Sequence, residues 1–349
     1  MNKIIYSILI FLSLFFQTEA QNIKKVSFDK SQFKTSELNI QEGVRIELKN
    51  LGMIKPHLIK SLGDGVVAIA DVQSDNLLVL LDINTGRNVK VIKRGFSSSQ
   101  MQSIDNLWMN SDTLFFAGAQ DMKIGFCLID KEKMTITAKK IKRMDVQFVR
   151  AISLNNDEYI YLPQAAGCRL LKKNYANGQI RNVADFPINY MMEGYVPDNF
   201  IFQANMQISP NRKQLVVANI MWNRIELFDA DLSQVIKMTG PEKIDSEVTK
   251  HYYGNSYMYQ QSNAVRTFLG LSCSDDQFMV GYLGLSLSDE SNFNRGLSRI
   301  YSFDLNGNPQ NEYLLGQEAE NFDVDFKTME LFTITSQLEP CIVKYSLNK

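Results

Sequence analysis

The sequence has few of the residues that build metal and disulfide sites. It contains four cysteines and two histidines among 349 residues, and no two cysteines stand in a Cys-x-x-Cys pair. A structural zinc site needs a cluster of such ligands, so the composition argues against one. Four cysteines allow three complete pairings, and their wide spacing favours none of them. Because three of the four fall inside apolar runs, we predict that they are buried small hydrophobic residues: Cys127, Cys168, Cys273 and Cys341.

An excess of charge of either sign is also missing. The chain carries 37 Lys and Arg residues against 38 Asp and Glu residues. Proteins that bind nucleic acid or an anionic membrane surface by electrostatic attraction usually carry a basic excess. The balance therefore argues against nucleic acid as a partner.

Long apolar runs are absent after the first residues. Lys3 is followed by an apolar run from Ile4 to Phe16, which is too short to span a bilayer, and then by small residues at Thr18 and Ala20. We predict a signal peptide over residues 1–20, cleavage near Ala20/Gln21, and a periplasmic or secreted protein with no membrane span after cleavage. The alternative is a buried N-terminal helix, but no capping residue precedes it.

What the chain has in abundance is short alternating strands. The stretch from Phe200 to Gly240 is typical of four strands, each flanked by Pro, Asn, Asp or Ser turn residues. The predicted strands are Ile201–Ile208, Gln214–Asn219, Arg224–Asp229 and Gln234–Met238. Four such strands make one antiparallel sheet.

The same pattern occurs six times along the chain. The second residue of each main apolar run marks the copies: Val66, Leu114, Tyr159, Leu215, Phe278 and Leu331. Their mean spacing is roughly 53 residues, which is in the range of β-propeller blades and longer than most helical repeats. Radial stacking of four-stranded sheets buries both faces of each sheet and leaves only short edges. We therefore predict an all-β fold: a six-bladed β-propeller with four-stranded antiparallel blades, forming a single domain over residues 21–349.

The two ends of the chain predict how the ring closes. Only four residues follow Tyr345, so the sixth blade lacks an outer strand. The segment Val44–Asn50 alternates correctly and precedes the first blade. We predict that the N-terminal segment 21–50 completes the last blade, which would join the first and last blades by backbone hydrogen bonds.

Several phrases carry a resemblance to a known family. These are NLLVLLDINTG from Asn76, VIKRGFSSSQMQSI from Val91 and MVGYLGLS from Met279, together with the six-fold spacing. With these features the chain resembles the TolB-like six-bladed β-propeller proteins exported by Bacteroidetes-type bacteria, over roughly residues 40–349. The resemblance implies a fold and export, and it implies no mechanism.

Long connections indicate where a site could lie, because most loops are short and long ones tend to be functional. Three of them surround the fourth and fifth copies: PINYMMEGYVPDN, GPEKIDSEVTKHYYGNSYMYQQSN and GLSLSDESNFNRGL. Tyr, Trp and Arg side chains there suit a glycan, peptide or protein partner. The predicted ligand-binding residues are Tyr195, Trp222, Asn223, Arg224, His251, Tyr252, Tyr253, Tyr257 and Arg266. In the alternative interpretation, these aromatic residues pack the long loops against each other.

An enzyme is the competing class of function. His251 lies in this region, but no Gly-x-Ser-x-Gly motif accompanies it, and we identify no catalytic residue. No cofactor is expected, and the alternative is a calcium-dependent hydrolase or lyase with its site at the central channel. Possible oxygen ligands are Asp71, Asp75, Asn76, Asp121, Asp198, Asn219 and Asn223. Asp and Asn are also ordinary turn residues, and the DVQSDN segment does not match calcium-loop spacing. A third possibility is a purely structural envelope protein.

Overall fold

The computed structural model describes most of the chain. The described residues are 23–39, 43–164, 167–186, 202–242, 247–253, 256–262, 265–289, 295–335 and 339–347. For residues 247–253 and 256–262 the description concerns the backbone alone. The described residues contain no helix with the length and hydrophobicity that a membrane crossing requires.

Three short strands and two single-turn 3-10 helices precede the first blade. The strands are β1 (Lys24–Ser27), β2 (Lys34–Leu38) and β3 (Val44–Glu47), and the helices are Lys30–Gln32 and Lys49–Leu51.

The next three blades are four-stranded antiparallel sheets in which neighbouring strands are consecutive in sequence. Blade one comprises β4 (Pro56–Gly63), β5 (Val66–Asp71), β6 (Asn76–Asp82) and β7 (Asn88–Lys93). Blade two comprises β8 (Asn106–Asn110), β9 (Thr113–Gly118), β10 (Lys123–Asp130) and β11 (Thr135–Arg143). Blade three comprises β12 (Phe148–Ser153), β13 (Glu158–Pro163), β14 (Leu170–Asn174) and β15 (Ile180–Ala184).

The remaining blades follow the same plan, with one inserted hairpin. Blade four comprises β16 (Ala204–Ile208), β17 (Leu215–Asn219), β18 (Arg224–Phe228) and β19 (Gln234–Thr239). The hairpin strands β20 (Glu247–Tyr253) and β21 (Ser256–Ser262) pair with each other. Blade five comprises β22 (Val265–Cys273), β23 (Gln277–Ser286), β24 (Leu297–Asp304) and β25 (Pro309–Ala319). Blade six comprises β26 (Asn321–Asp325), β27 (Glu330–Thr335), β28 (Cys341–Ser346) and β3.

The ring is closed, as predicted. The innermost strands β4, β8, β12, β16, β22 and β26 contact one another in succession, and β26 contacts β4. The seam lies inside blade six, where β3 pairs antiparallel with β28, from Cys341 opposite Glu47 to Lys344 opposite Val44. The predicted segment Val44–Asn50 therefore supplies the outer strand of the last blade.

The N-terminal segment does more than the sequence predicted. β1 adds a fifth strand to blade four, parallel to β19, and β2 adds a fifth strand to blade five, parallel to β25. Between these strands, Phe28 and Phe33 pack at 6.0 Å from each other and contact the rings of Tyr301 and Phe303. The segment thus runs along the outside of three consecutive blades before it closes the ring.

A recurring turn explains much of the repeat. In five blades an Asp or Asn at the end of the third strand accepts hydrogen bonds from backbone N–H groups two to four residues later. These residues are Asp82, Asp130, Asn174, Asp229 and Asp304. Such side chains stabilise tight turns without help from distant residues, which is why the turn signals recur in the sequence.

The apolar core lies between neighbouring blades rather than at the centre of the ring. Second strands such as β5 are buried along their whole length, because both of their faces meet another blade. Five clusters fill the spaces between successive blades. The four cysteines are free and buried, which confirms the sequence prediction.

The meander connectivity also defines two faces of the ring. In each blade, the connection between second and third strands leaves from the same end of the sheet as the connection from the outer strand to the next blade. We call this end the upper face. Residues 220–223 of blade four and 72–75 of blade one lie there.

Candidate functional site

A pocket of about 390 Å³ opens at the outer edge of blade four, where β1, β18 and β19 reach the upper face. We call it the blade-four pocket. Its lining residues are Lys25, Val26, Ser27, Trp222, Asn223, Arg224, Lys237 and Thr239. Three of the predicted ligand-binding residues, Trp222, Asn223 and Arg224, thus come together in it.

The loop that carries these three residues is held by blade five. The Thr267 hydroxyl lies 3.0, 3.1 and 3.2 Å from the carbonyl oxygens of Asn219, Ile220 and Trp222. The Thr267 N–H also donates to the Ile220 carbonyl at 2.7 Å. Because Thr267 lies on the innermost strand of the next blade, the loop is fixed relative to two blades.

Within the loop, Arg224 covers the ring of Trp222. The Arg224 guanidinium carbon lies 3.4 Å from the ring centroid, and that of Arg169 lies at 5.7 Å. Phe202 meets the same indole edge to face, with ring centroids 5.6 Å apart. The quadrupole of the Trp222 ring attracts the Arg224 guanidinium and orients it.

The strand register places three cations around the pocket. Across the sheet, Lys25 is opposite Lys237, and Lys237 is opposite Glu226. Paired residues on neighbouring strands project from the same side of a sheet, and so does Arg224, which is two residues from Glu226. This side of blade four therefore carries Lys25, Lys237 and Arg224 next to a single carboxylate.

That carboxylate is already engaged. Glu226 Oε2 lies 2.7 Å from Arg169 Nη2, and both side chains are almost completely buried. Gln234 Nε2 donates to Glu226 Oε1 at 2.6 Å. The charge of Glu226 is thus largely matched by Arg169, and neither Lys25 nor Lys237 forms an ion pair with a carboxylate among the described residues.

The pKa of Lys237 reflects this imbalance. Burial lowers it, and the positive charge of Arg224 lowers it further, while Glu226 opposes the shift. Lys25 and Arg169 add smaller effects in the same downward direction. When the neighbours of a lysine disfavour its positive charge, an anion that binds beside it stabilises the charged form.

Asn223 places a buried amide oxygen at the pocket. The residue is 2% exposed, and its Nδ2 donates to the carbonyl oxygen of Glu242. Its Oδ1 is buried and has no hydrogen-bond partner among the described residues. It could accept a hydrogen bond from a ligand hydroxyl or N–H group.

The other predicted site residues are Arg266, four residues described by their backbone alone, and one residue outside the description. Arg266 lies half-buried on β22, opposite Leu285, and does not line it. His251, Tyr252 and Tyr253 lie on β20, and Tyr257 lies on β21 opposite Tyr252. The connection predicted as a long loop therefore contains a hairpin, whose side chains are outside the description. Tyr195 lies outside the described residues.

Asp71, one of the possible calcium ligands, is engaged by the backbone. Asp71 accepts four backbone N–H groups, from Ile54, Lys55, Gln73 and Ser74. In the described part of the chain, no group of three or more His, Cys, Asp or Glu side chains is arranged to hold a metal ion. Asp198 lies outside that part.

The central channel offers little space between its lining side chains. The cavity there is about 30 Å³, which suits one water molecule. Lys60 and Asp323, on the neighbouring innermost strands β4 and β26, form a buried ion pair beside it at 3.0 Å.

Sequence reasoning missed five lining residues of the blade-four pocket: Lys25, Val26, Ser27, Lys237 and Thr239. Lys237 alternates with buried Ile236 and Met238, so its face could be inferred from the strand pattern. The position of Lys25 could not, because β1 pairs with a strand more than 200 residues away.

Comparisons with known proteins agree with this fold. The model of a family described as TolB-like six-bladed propellers matches residues 33–327. The structure is similar to that of a protein from Bacteroides fragilis described as exported, with 11% identity, a TM-score of 0.54, and coverage of 92% of this chain and 99% of that chain. It is also similar to a member of the DUF4221 family from Bacteroides vulgatus, with 9% identity, a TM-score of 0.53, and coverage of 86% and 95%. At such identities the likeness concerns the fold alone. A search of curated proteins found no match.

Proposed function

Since this chain belongs to the TolB-like family of six-bladed propellers, we propose that it is an exported binding module that holds an anionic group of a glycan, peptide or protein partner in the blade-four pocket. Export is supported by the signal-peptide pattern of residues 1–20 and by the similarity to a protein described as exported. Binding, rather than catalysis, is supported by the three cations that line the pocket: Lys25, Arg224 and Lys237.

The observation that carries the proposal is the charge of the pocket wall. Lys25, Arg224 and Lys237 line about 390 Å³ of space, and the Glu226 carboxylate on the same side of the blade is paired with Arg169. A carboxylate, sulfate or phosphate in this space would offset the mutual repulsion of the cations. A planar guanidinium held against an indole ring has little freedom to lose on binding, which favours affinity.

The proposal predicts selective binding of anionic ligands by the mature chain. The probes are oligogalacturonate and polyglutamate, each compared by calorimetry with its neutral counterpart, oligogalactose or polyglutamine. We expect an anionic probe to bind and its neutral counterpart not to bind. Lys237→Gln and Arg224→Gln should each lower the affinity by about tenfold or more, because each removes a charge-assisted hydrogen bond. Affinity should also fall as the pH rises through the lowered pKa of Lys237.

The matched control is Lys90→Gln, which removes an exposed lysine from the outer strand of blade one and should leave binding unchanged. The two probes separate a glycan from a peptide ligand. Equal binding of charged and neutral probes, or an affinity that is the same with and without Lys237, would overturn the assignment of the pocket.

A further inference from the structure

A second feature of the upper face lies on blade one, away from the blade-four pocket. Three large apolar side chains are exposed there: Phe96 at 89%, Ile54 at 58% and Val72 at 42%. Each lies in a different connection at the upper face: between β3 and β4, between β5 and β6, and between β7 and β8. We call these three residues the blade-one patch.

Hydrogen bonds show that the three connections are neighbours. The Val72 N–H donates to the Lys55 carbonyl at 3.1 Å, and Asp71 Oδ2 accepts the Ile54 N–H at 2.7 Å. Arg94 Nη2 donates to the Val72 carbonyl at 2.7 Å. The residue next to Ile54 and the residue two before Phe96 are therefore both bonded to the segment that carries Val72.

The loop that presents Phe96 is fixed at both ends. The Gly95 N–H donates to the Met101 carbonyl at 3.0 Å, which closes the base of the loop. From blade two, Lys123 Nζ donates to the carbonyl oxygens of Ser97 at 3.0 Å and Gln100 at 2.7 Å. A loop tied down in this way holds its aromatic side chain in solvent instead of folding it onto the surface.

This arrangement differs from the scattered exposed apolar residues of ordinary surfaces. Contiguous apolar side chains on an otherwise polar surface mark interaction sites. A fixed backbone also lowers the entropy lost on association, which is how preorganised binding surfaces gain affinity. Aromatic residues at such positions are frequent anchors of protein interfaces.

We propose that the blade-one patch is a docking surface for another protein, which receives Phe96 in an apolar pocket bordered by acidic side chains. The acidic border follows from the charges around the patch. Lys55 and Lys93 are exposed, and neither forms an ion pair within the described residues. The Arg94 guanidinium bonds to the carbonyl oxygens of Val72, Ser74 and Gln102 rather than to a carboxylate.

Acidic groups nearby do not balance these cations. Asp71 is buried and its oxygens are used by backbone N–H groups, and Asp121 is paired with Lys123 at 3.1 Å. Asp75 is the exposed acidic residue next to the patch. The surface around the apolar side chains is therefore net positive and complements an acidic partner.

A second copy of this chain fits less well. The blade-four pocket is lined by Lys25, Arg224 and Lys237. The cavity of about 280 Å³ between blades two and three has an aromatic floor, but Lys140 and Lys142 line it with Asp157 as the single acid. Cationic rims would repel Lys55 and Lys93, so the partner is another protein.

The test uses photocrosslinking in the cells that make this protein. The full chain carries p-benzoylphenylalanine in place of Val72, or in place of Ile180 as the control, a 56% exposed residue on the outer strand of blade three. We expect an adduct with one protein from the Val72 position and not from the Ile180 position. The mass-mapped adduct site should be an apolar pocket with Asp or Glu at its rim.

The identified protein is then purified and titrated. Phe96→Ser should lower its affinity by about 30-fold, the effect of losing an interface hot spot, and Lys55→Glu with Lys93→Glu should slow association by about tenfold at low salt. Because Phe96 is 89% exposed, the melting temperature should not change. Anion binding in the blade-four pocket should also be unaffected, so this proposal and the proposed function fail independently.

Four outcomes would overturn the docking surface. These are an adduct with a second copy of the chain, an adduct with lipid alone, the absence of any adduct from the Val72 position, and a partner whose affinity is the same with Phe96→Ser. The first would make the patch a self-association surface, and the second would make it a membrane contact.

Discussion

Glu226 is a carboxylate buried within a group of cations, and it organises the wall behind the blade-four pocket. Burial is the largest single influence and raises the pKa of Glu226, but Arg169, Arg224, Asn219 and Gln234 together lower it by more. The net pKa lies below the ordinary value. The carboxylate therefore adds stability at pH values above its unfolded-state pKa of about 4.3, and this stability is lost as the pH falls through the lower folded-state pKa.

Replacing Arg169 by Met should show how strongly the buried charge of Glu226 destabilises the protein when its cation is missing. Met keeps most of the volume but leaves Glu226 without its closest cation, so we expect a loss of about 3–5 kcal/mol in the free energy of unfolding at pH 7. In the variant, burial raises the pKa of Glu226 instead. Part of the lost stability should then return between pH 7 and pH 5, as the carboxylate takes up a proton. Urea denaturation at the two pH values measures both effects.

The control for this pair is the double variant Arg169→Met with Glu226→Gln, which removes both charges and keeps an amide near Gln234 and Asn219. It should recover about half or more of the loss and show little dependence on pH. A double variant less stable than Arg169→Met at pH 7 would show that the pair does not act as described.

At the scale of secondary structure, β1 is the element that turns an edge of blade four into a pocket wall. It supplies Lys25, Val26 and Ser27 to the lining, and it covers the outer edge of β19. Adding a strand to a sheet edge satisfies backbone groups that would otherwise face solvent. β1 is not required for ring closure, because β3 supplies the seam.

Deleting residues 21–27 from a chain that starts at Gln21 should therefore remove one wall of the blade-four pocket and leave the ring closed. We expect the propeller to fold, and we expect anion binding to weaken because Lys25 and one wall are gone. Hydrogen exchange gives a readout that needs no ligand: amides of β19 that face β1 should exchange faster, while those of β18 stay protected. Unchanged protection across β19 would mean that β1 does not pair as described.

The same element shows where sequence reasoning reaches its limit. The strands of each blade were predictable because alternation and turn residues are local, as in the fourth blade, where Leu215–Asn219 was predicted to begin one residue earlier. β1 and β2 were not, because four or five mostly polar residues carry no signal for parallel pairing with β19 and β25. The Trp222–Arg224 loop was found from its position between two predicted strands. The cationic wall was not, because it requires the register of strands distant in sequence.

At the scale of the whole molecule, the ring is closed at the seam between β3 and β28. β3 and β28 join residues from near the two ends of the chain, and the antiparallel register places Glu47 opposite Cys341. Residues opposite each other in an antiparallel pair have Cα atoms about 4.5–5.5 Å apart, a separation that disulfides span. Cys341 is a free thiol in this position, and burial raises its pKa.

Glu47→Cys should consequently allow the ring to be closed covalently. We expect a disulfide between the new thiol and Cys341 on mild oxidation, because the pairing holds the two side chains on the same side of the sheet. The bridge would close a loop of nearly the whole chain, and the chain-entropy model then gives a stabilisation of up to about 5 kcal/mol. Peptide mapping under non-reducing conditions identifies the bridge, and the difference in melting temperature between oxidised and reduced protein measures its effect. Arg45→Cys, which lies opposite Val343, is the matched control and should gain nothing on oxidation. Two free thiols in oxidised Glu47→Cys, or a bridge that leaves the melting temperature unchanged, would show that the seam does not have this register or does not limit unfolding.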